Sequence, residues 1–200
     1  MRKEKIHAPL QPNAIPKQLW EHITINFIMG LPISQGYDAI MVVIDRFTKY
    51  VIAIPTTEEV SSMGTAKLFH DHVWKPFGIP QKVISDRGPQ FVAQFMKDLH
   101  QLVGTKTNIS TAYHPQTNGQ TKQMNQEIEQ YLQIFINEHQ TDWVDWLSLA
   151  TFLYNDKEQT SMGHSPFFLN YGRHPNKGLE PHHEVKSQAT QDFTDTLVKA

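Results

Sequence analysis

The chain has 200 residues, 39% of them hydrophobic, with 18 Lys+Arg against 20 Asp+Glu and a formal net charge of −2; this fits one globular domain and excludes a disordered, fibrous or generally basic coat-like protein. It contains no cysteine, which excludes a disulfide framework, a thiol nucleophile and any Cys-ligated zinc or iron–sulfur centre. The longest apolar run, Ala39–Ile44, is far short of the roughly 20 residues that span a bilayer, and the charged start Met1-Arg2-Lys3-Glu4-Lys5 leads into no apolar stretch, so neither secretion nor membrane insertion is expected.

Residues 1–19 hold Pro9, Pro12 and Pro16 without a sustained period and read as an extended arm. Three strand-like runs follow: His22–Met29, Ala39–Phe47 and Tyr50–Pro55, separated by Gly30-Leu31-Pro32 with Gly36-Tyr37-Asp38, and then by Thr48-Lys49. Such short gaps predict an antiparallel meander. The pattern then changes to helix alternating with strand. Ser61–Trp74 carries Ala66, Leu68, Phe69 and Val73 at helical spacing and is expected to stop at the Pro- and Gly-bearing segment 75–80. Lys82–Ser85 is a short strand, Gln90–Val103 an amphipathic helix through Phe91, Phe95, Leu99 and Leu102, and Thr105–Ser110 a fifth strand. The order predicts a mixed five-stranded α/β sheet flanked by helices.

Residues 111–119 form a loop with Pro115, Asn118 and Gly119. From Gln120 a long helix carries Met124, Ile128, Tyr131, Leu132, Phe135 and Ile136 on one stripe, which is core packing. At about 100° per residue Lys122 falls on the flank of that stripe with Gln126, Glu129 and Gln133, so the first turn faces a surface or cleft. Trp143–Tyr154 and Ser165–Tyr171 are further helices, the last with Pro166 at its first position. Residues 176–200 read as a linker or tail, and no repeat is visible. His70-Asp71-His72 and His182-His183 lack the spacing of a zinc-binding helix and are expected to be ordinary imidazoles.

The most pointed chemical feature is Ser85-Asp86-Arg87-Gly88, an acid at the end of a short strand followed by a glycine turn. Strand ends in sheets covered by helices are where loops place polar groups in a crevice. On spacing alone, a turn held by local hydrogen bonds explains it slightly better than a site. The neighbouring motifs reverse that judgement: Trp20-Glu21-His22-Ile23 leading to Phe27-Ile28, Gly36-Tyr37-Asp38-Ala39-Ile40, Val43-Ile44-Asp45-Arg46-Phe47-Thr48-Lys49, Ile84-Ser85-Asp86-Arg87-Gly88-Pro89-Gln90-Phe91, Ala112-Tyr113-His114-Pro115-Gln116-Thr117-Asn118-Gly119-Gln120-Thr121 and Asn170-Tyr171-Gly172-Arg173-His174-Pro175. In this order they resemble the catalytic core of retroviral-type integrases, most closely those of Ty3/gypsy-like LTR retrotransposons, over residues 20–175.

The resemblance implies a ribonuclease-H-like fold, a nuclear protein, and two Mg²⁺ or Mn²⁺ ions held by three carboxylates, so that a water or a DNA 3′-hydroxyl attacks phosphorus in line. It also implies DNA as partner and a homodimer, for which the Trp143–Trp146 and Ser61–Trp74 segments offer apolar surface. Such integrases usually carry an upstream His/Cys zinc domain and a downstream DNA- or chromatin-binding domain, and segments 1–19 and 176–200 are expected to be neither. Carried over position by position, Asp86 fills the second carboxylate position, but the first falls on Asn26 and the glutamate position on Lys122. Three acids would carry −3, whereas Asn26, Asp86 and Lys122 together carry zero. An ammonium has no acceptor atom and repels a divalent cation, so only Asp86 remains as a metal ligand. The expected consequence is an inactive copy. Asp45 and Glu129 are the nearby acids that an alternative, active polynucleotidyl transferase with an altered ligand set would need. Arg87, Lys106, His114, Asn118, Gly119 and Lys122 would surround the former site and are expected to bind DNA without sequence preference; a retained DNA-binding or dimerisation module is the related alternative.

Overall fold

The computed structural model describes residues 16–105 and 119–177, the side chains of 119–124 excepted. Three strands come first, β1 (His22–Ile28), β2 (Ala39–Asp45) and β3 (Val51–Thr56). They form the expected meander: β1 pairs antiparallel with β2, and β2 with β3. After α1 (Ser62–Phe69) the chain returns as β4 (Lys82–Ser85), which adds parallel to the other side of β1 and gives the order β3-β2-β1-β4. All seven residues of β2 are buried, as its unbroken apolar sequence requires of a strand covered on both faces.

The pleat sorts these strands into two cores. Ile23, Ile25, Phe27, Met41 and Val43 meet Ala66, Phe69, Phe95 and Leu99 on one face. Ile28, Ile40, Val42 and Ile44 meet Ile128, Leu132, Trp143, Leu147 and Tyr154 on the other. The first face is covered by α1 and α3 (Pro89–Val103), the second by α4 (Gly119–Phe135) and α5 (Trp143–Asp156). Each large apolar side chain so buried contributes roughly 1.5–3 kcal/mol. The stripe expected on α4 is present, with Ile128 and Leu132 buried and Tyr131 and Ile136 packed beside them. Helix α6 (Pro166–Tyr171) is capped by Ser165, whose Oγ accepts from the Phe168 backbone N–H at 3.2 Å, and ends at Gly172 with φ 69°.

One boundary differs from expectation. The helix beginning at Ser62 does not stop before Lys75; a π-helical turn, His70–Trp74, carries it into α2 (Lys75–Phe77), which closes at Gly78 with φ 83°. Pro76 lies in the first turn of that segment, where a missing N–H breaks no bond within it. The fifth strand, placed by sequence at Thr105–Ser110, lies beyond its first residue outside the described part, as do residues 1–15 and 178–200. No described helix is long and apolar enough to cross a membrane.

Candidate functional site at the ends of β1 and β4

The parallel pairing of β1 with β4 runs from His22↔Lys82 to Ile25↔Ser85. One further step in register brings Asn26 beside Asp86, on strands about 4.8 Å apart. Their contact is visible in the backbone: the Phe27 N–H donates to Asp86 Oδ2 at 3.4 Å. Asn26 shares the pleat of Ile28, so it faces the layer of α4 and α5. Lys122 lies in the first turn of α4, and its side chain is outside the described residues. Two of the three sequence-identified positions are therefore brought together, and the third sits on the helix that packs over that face.

Asn26 is almost fully buried, at 4% exposure, and its Nδ2 has no hydrogen-bond partner. A buried donor left unpaired costs about 1–3 kcal/mol. Asp86, by contrast, is exposed, with Oδ1 accepting from its neighbour Ser85 Oγ at 3.3 Å. The strand ends thus offer one carboxylate and one carboxamide. A pair of Mg²⁺ or Mn²⁺ ions asks for hard anionic oxygen, several ligands to each ion, and a carboxamide whose NH₂ is buried without an acceptor fits that demand poorly. Lysine at position 122 supplies no acceptor at all. The residues present do not fit the metal pair. Among the described residues, no three His, Asp or Glu side chains converge as a metal site.

The two alternative acids do not repair the set. Asp45 is fully buried, and its carboxylate accepts from the N–H groups of Trp20 (3.1 Å), Phe47 (3.3 Å) and Thr48 (3.0 Å) and from Thr48 Oγ1 (2.7 Å). That oxygen pair holds the β2–β3 turn. Glu129 is half-buried on α4, about two turns beyond Lys122.

Arg87 has a use that its sequence motif did not reveal. Its guanidinium donates to the carbonyls of Val60 at 2.9 Å and Glu58 at 3.1 Å, and lies 3.7 Å over the Phe27 ring and 5.4 Å from that of Phe91. It pins the β3–α1 connection to the end of β4, and burial pushes its pKa below the ordinary value, with Asp86 opposing. Phe27 and Phe91 flanking the acid motif are the only signal in the sequence that an arginine is to be stacked there. Lys106, His114 and Asn118 lie outside the described residues, and Gly119 is the first residue of α4. Away from the site, His70 stacks on Trp74 at 4.8 Å and meets Asp71, which also pairs with Lys75 at 2.9 Å; His182-His183 is outside the described part.

With this geometry in place, residues 14–115 match the family model described as the integrase core domain. The chain is 36% identical over 166 residues to the Tf2-3 and Tf2-4 transposon polyproteins of Schizosaccharomyces pombe, a match that covers 83% of this chain and 12% of each polyprotein. It therefore spans about one eighth of the length of these curated relatives. Its fold is similar to the catalytic core domain of HTLV-2 integrase solved in complex with magnesium, with a TM-score of 0.56, 15% identity, and coverage of 76% of this chain and 97% of that one. It is also similar to a chain of the simian T-cell lymphotropic virus intasome solved with the PP2A regulatory subunit B56 gamma, with a TM-score of 0.59, 18% identity, and coverage of 92% and 66%.

Proposed function

The chain belongs to the integrase core domain family, of retrotransposon and retroviral type, and from that premise we propose that it is a core which has lost its metal-dependent strand transfer and retains the ability to bind DNA. The observation that carries the loss is Asn26, next to the Phe27 N–H that meets Asp86: where two carboxylates would share a cation, one position holds a buried amide with an unpartnered Nδ2. Position 122, in the first turn of α4, holds a lysine in place of an acid. At about 4 Å its repulsion of a divalent cation amounts to several kcal/mol at a surface-like dielectric.

The same substitutions favour phosphate. Loss of two acids removes repulsion, and Lys122 supplies a cation, so binding of duplex DNA is weak, sequence-independent and salt-dependent. Residues 20–175 form the core in this reading, with an arm before it and a tail after it, and the protein acts in the nucleus as a homodimer. Support for self-association comes from the trimeric and dimeric forms in which the HTLV-2 core was obtained. The segments first considered for that contact are largely used inside the fold: Trp143 is buried, its Nε1 bonded to the Pro32 carbonyl at 2.7 Å, and Trp146 stacks on Phe135.

The test is Mn²⁺-dependent nicking and strand transfer by the unmodified chain and by the double variant Asn26→Asp, Lys122→Glu. The reading expects activity only in the double variant. Activity of the unmodified chain overturns it. Lys122→Glu alone is expected to weaken duplex binding and to lower the slope of log affinity against log salt by about 1.

A further inference from the structure

Strand β3 is one edge of the described sheet, and β2 stands between it and Asn26 on β1. The Asp45 N–H donates to the Tyr50 carbonyl at 2.9 Å, so the antiparallel alternation turns the N–H and C=O groups of Ile52 and Ile54 toward β2 as well. Those of Val51 and Ala53 point away from the sheet. At Val51 both outward groups are taken, because Asn155 on α5 accepts from the N–H and donates to the carbonyl, each at 2.8 Å. At Ala53 nothing among the described residues takes the same pair, and two residues on Pro55 has no N–H to offer.

Ala53 borders a groove of about 270 Å³ between β3 and α5. Thr151 and Ser148, one and two turns before Asn155, line it from the helix. The Thr151 Oγ1 donates to the Leu147 carbonyl at 2.7 Å, and Ser148 is short and exposed, so neither does for Ala53 what Asn155 does for Val51. The other large side chains on the groove are the aromatic rings of Tyr50, Phe152 and Phe167. Tyr50 is fixed from behind: its ring meets Tyr171 edge-on with centroids 5.7 Å apart, and the two side chains share a hydrogen bond.

Asn155 shows the chemistry this edge accepts, a planar group with a donor and an acceptor side by side. An added β-strand fits poorly, since Val51 is occupied and Pro55 lacks a donor, which leaves Ala53 alone to exchange both bonds. The groove also lies below the roughly 300–1,000 Å³ of pockets that enclose a drug-sized ligand, so it takes a single flat ring system. Every nucleobase carries an adjacent donor and acceptor on its Watson–Crick edge and a face that stacks on aromatic side chains. We propose that the β3–α5 groove binds one unpaired nucleobase, its edge bonded to the Ala53 N–H and C=O and its face on the Phe152 and Tyr50 rings. A single backbone pair reads any base, so the site tolerates sequence. That the base belongs to single-stranded DNA rather than to a free nucleoside rests on the DNA-binding reading above.

The experiment follows the Ala53 backbone amide of the full chain by NMR. The probes are thymidine, N3-methylthymidine, a short oligothymidylate and a blunt duplex, with DNA binding read in parallel by fluorescence anisotropy. Thymidine and oligothymidylate are expected to shift Ala53, whereas N3-methylthymidine, which has lost the donor, and the fully paired duplex are not. Ser148→Trp places a ring where the base would lie and is expected to weaken the thymidine effect about tenfold or more. Phe152→Leu is expected to weaken it at least about fivefold, the low end of a base–aromatic contact. Thermal unfolding shows whether each variant is folded. No shift of Ala53 with thymidine overturns the site, as does an equal shift with N3-methylthymidine or one that neither substitution weakens. Oligothymidylate that binds without moving Ala53 also overturns it and leaves the DNA-binding reading standing. A thymidine response with no binding of either DNA sustains the site and removes that reading instead.

Discussion

Asp45 on β2 and Asn26 on β1 are both buried polar side chains on neighbouring strands, yet the chain treats them in opposite ways. Asp45 has no exposed surface, and three backbone N–H groups and one hydroxyl converge on its carboxylate. Asn26 carries no charge, and its Nδ2 donor finds no acceptor. Asn155 on α5 sharpens the contrast, since it is the same residue type with both ends used: its Oδ1 accepts from the Val51 N–H and its Nδ2 donates to the Val51 carbonyl, each at 2.8 Å. It closes part of the open edge of β3 as a neighbouring strand would. A buried polar group is stable where backbone supplies its partners. At position 26 the partner that would stabilise an acid is a cation, and an amide cannot recruit one.

Three substitutions of decreasing effect test this comparison by equilibrium unfolding. Asp45→Ala strands three N–H groups around the turn and frees the Trp20 entry to β1; a loss of about 3 kcal/mol or more is expected. Asn155→Ala removes two backbone partners at a sheet edge and is expected to cost about 2 kcal/mol. Asn26→Leu exchanges an incompletely paired amide for an apolar group of similar size and is expected to stay within about 1 kcal/mol of the unmodified chain. A loss at Asn26 as large as that at Asn155 would mean that the two amides are equally well held, and the contrast would fail.

Much of the fold was legible because the apolar patterns are strong. The unbroken Ala39–Ile44 run reads as a strand buried on both faces, and the Ile128, Leu132 spacing reads as the inner stripe of α4. The π-turn before Pro76 was not legible, since proline normally marks the end of a helix and nothing local announces an extra residue in the turn. At the site, the identities at 26, 86 and 122 were plain from sequence, whereas the orphaned Nδ2 of Asn26 depends on what surrounds it. The bonds of Arg87 to the β3–α1 connection were not legible because its carbonyl partners, Glu58 and Val60, are distant in sequence. The outward pair of Ala53 was hidden for a related reason: it exists only once the register of β2 and β3 is fixed.

The central claim, that Asn26, Asp86 and Lys122 cannot hold a pair of divalent cations, is tested most directly by titrating Mn²⁺ into the unmodified chain and into Asn26→Asp, Lys122→Glu, with bound metal read by calorimetry and by the loss of free-ion paramagnetic signal. The account predicts saturable binding of two ions by the double variant and none by the unmodified chain at the same concentrations. Two ions bound by the unmodified chain, released by Asp86→Asn, would contradict it.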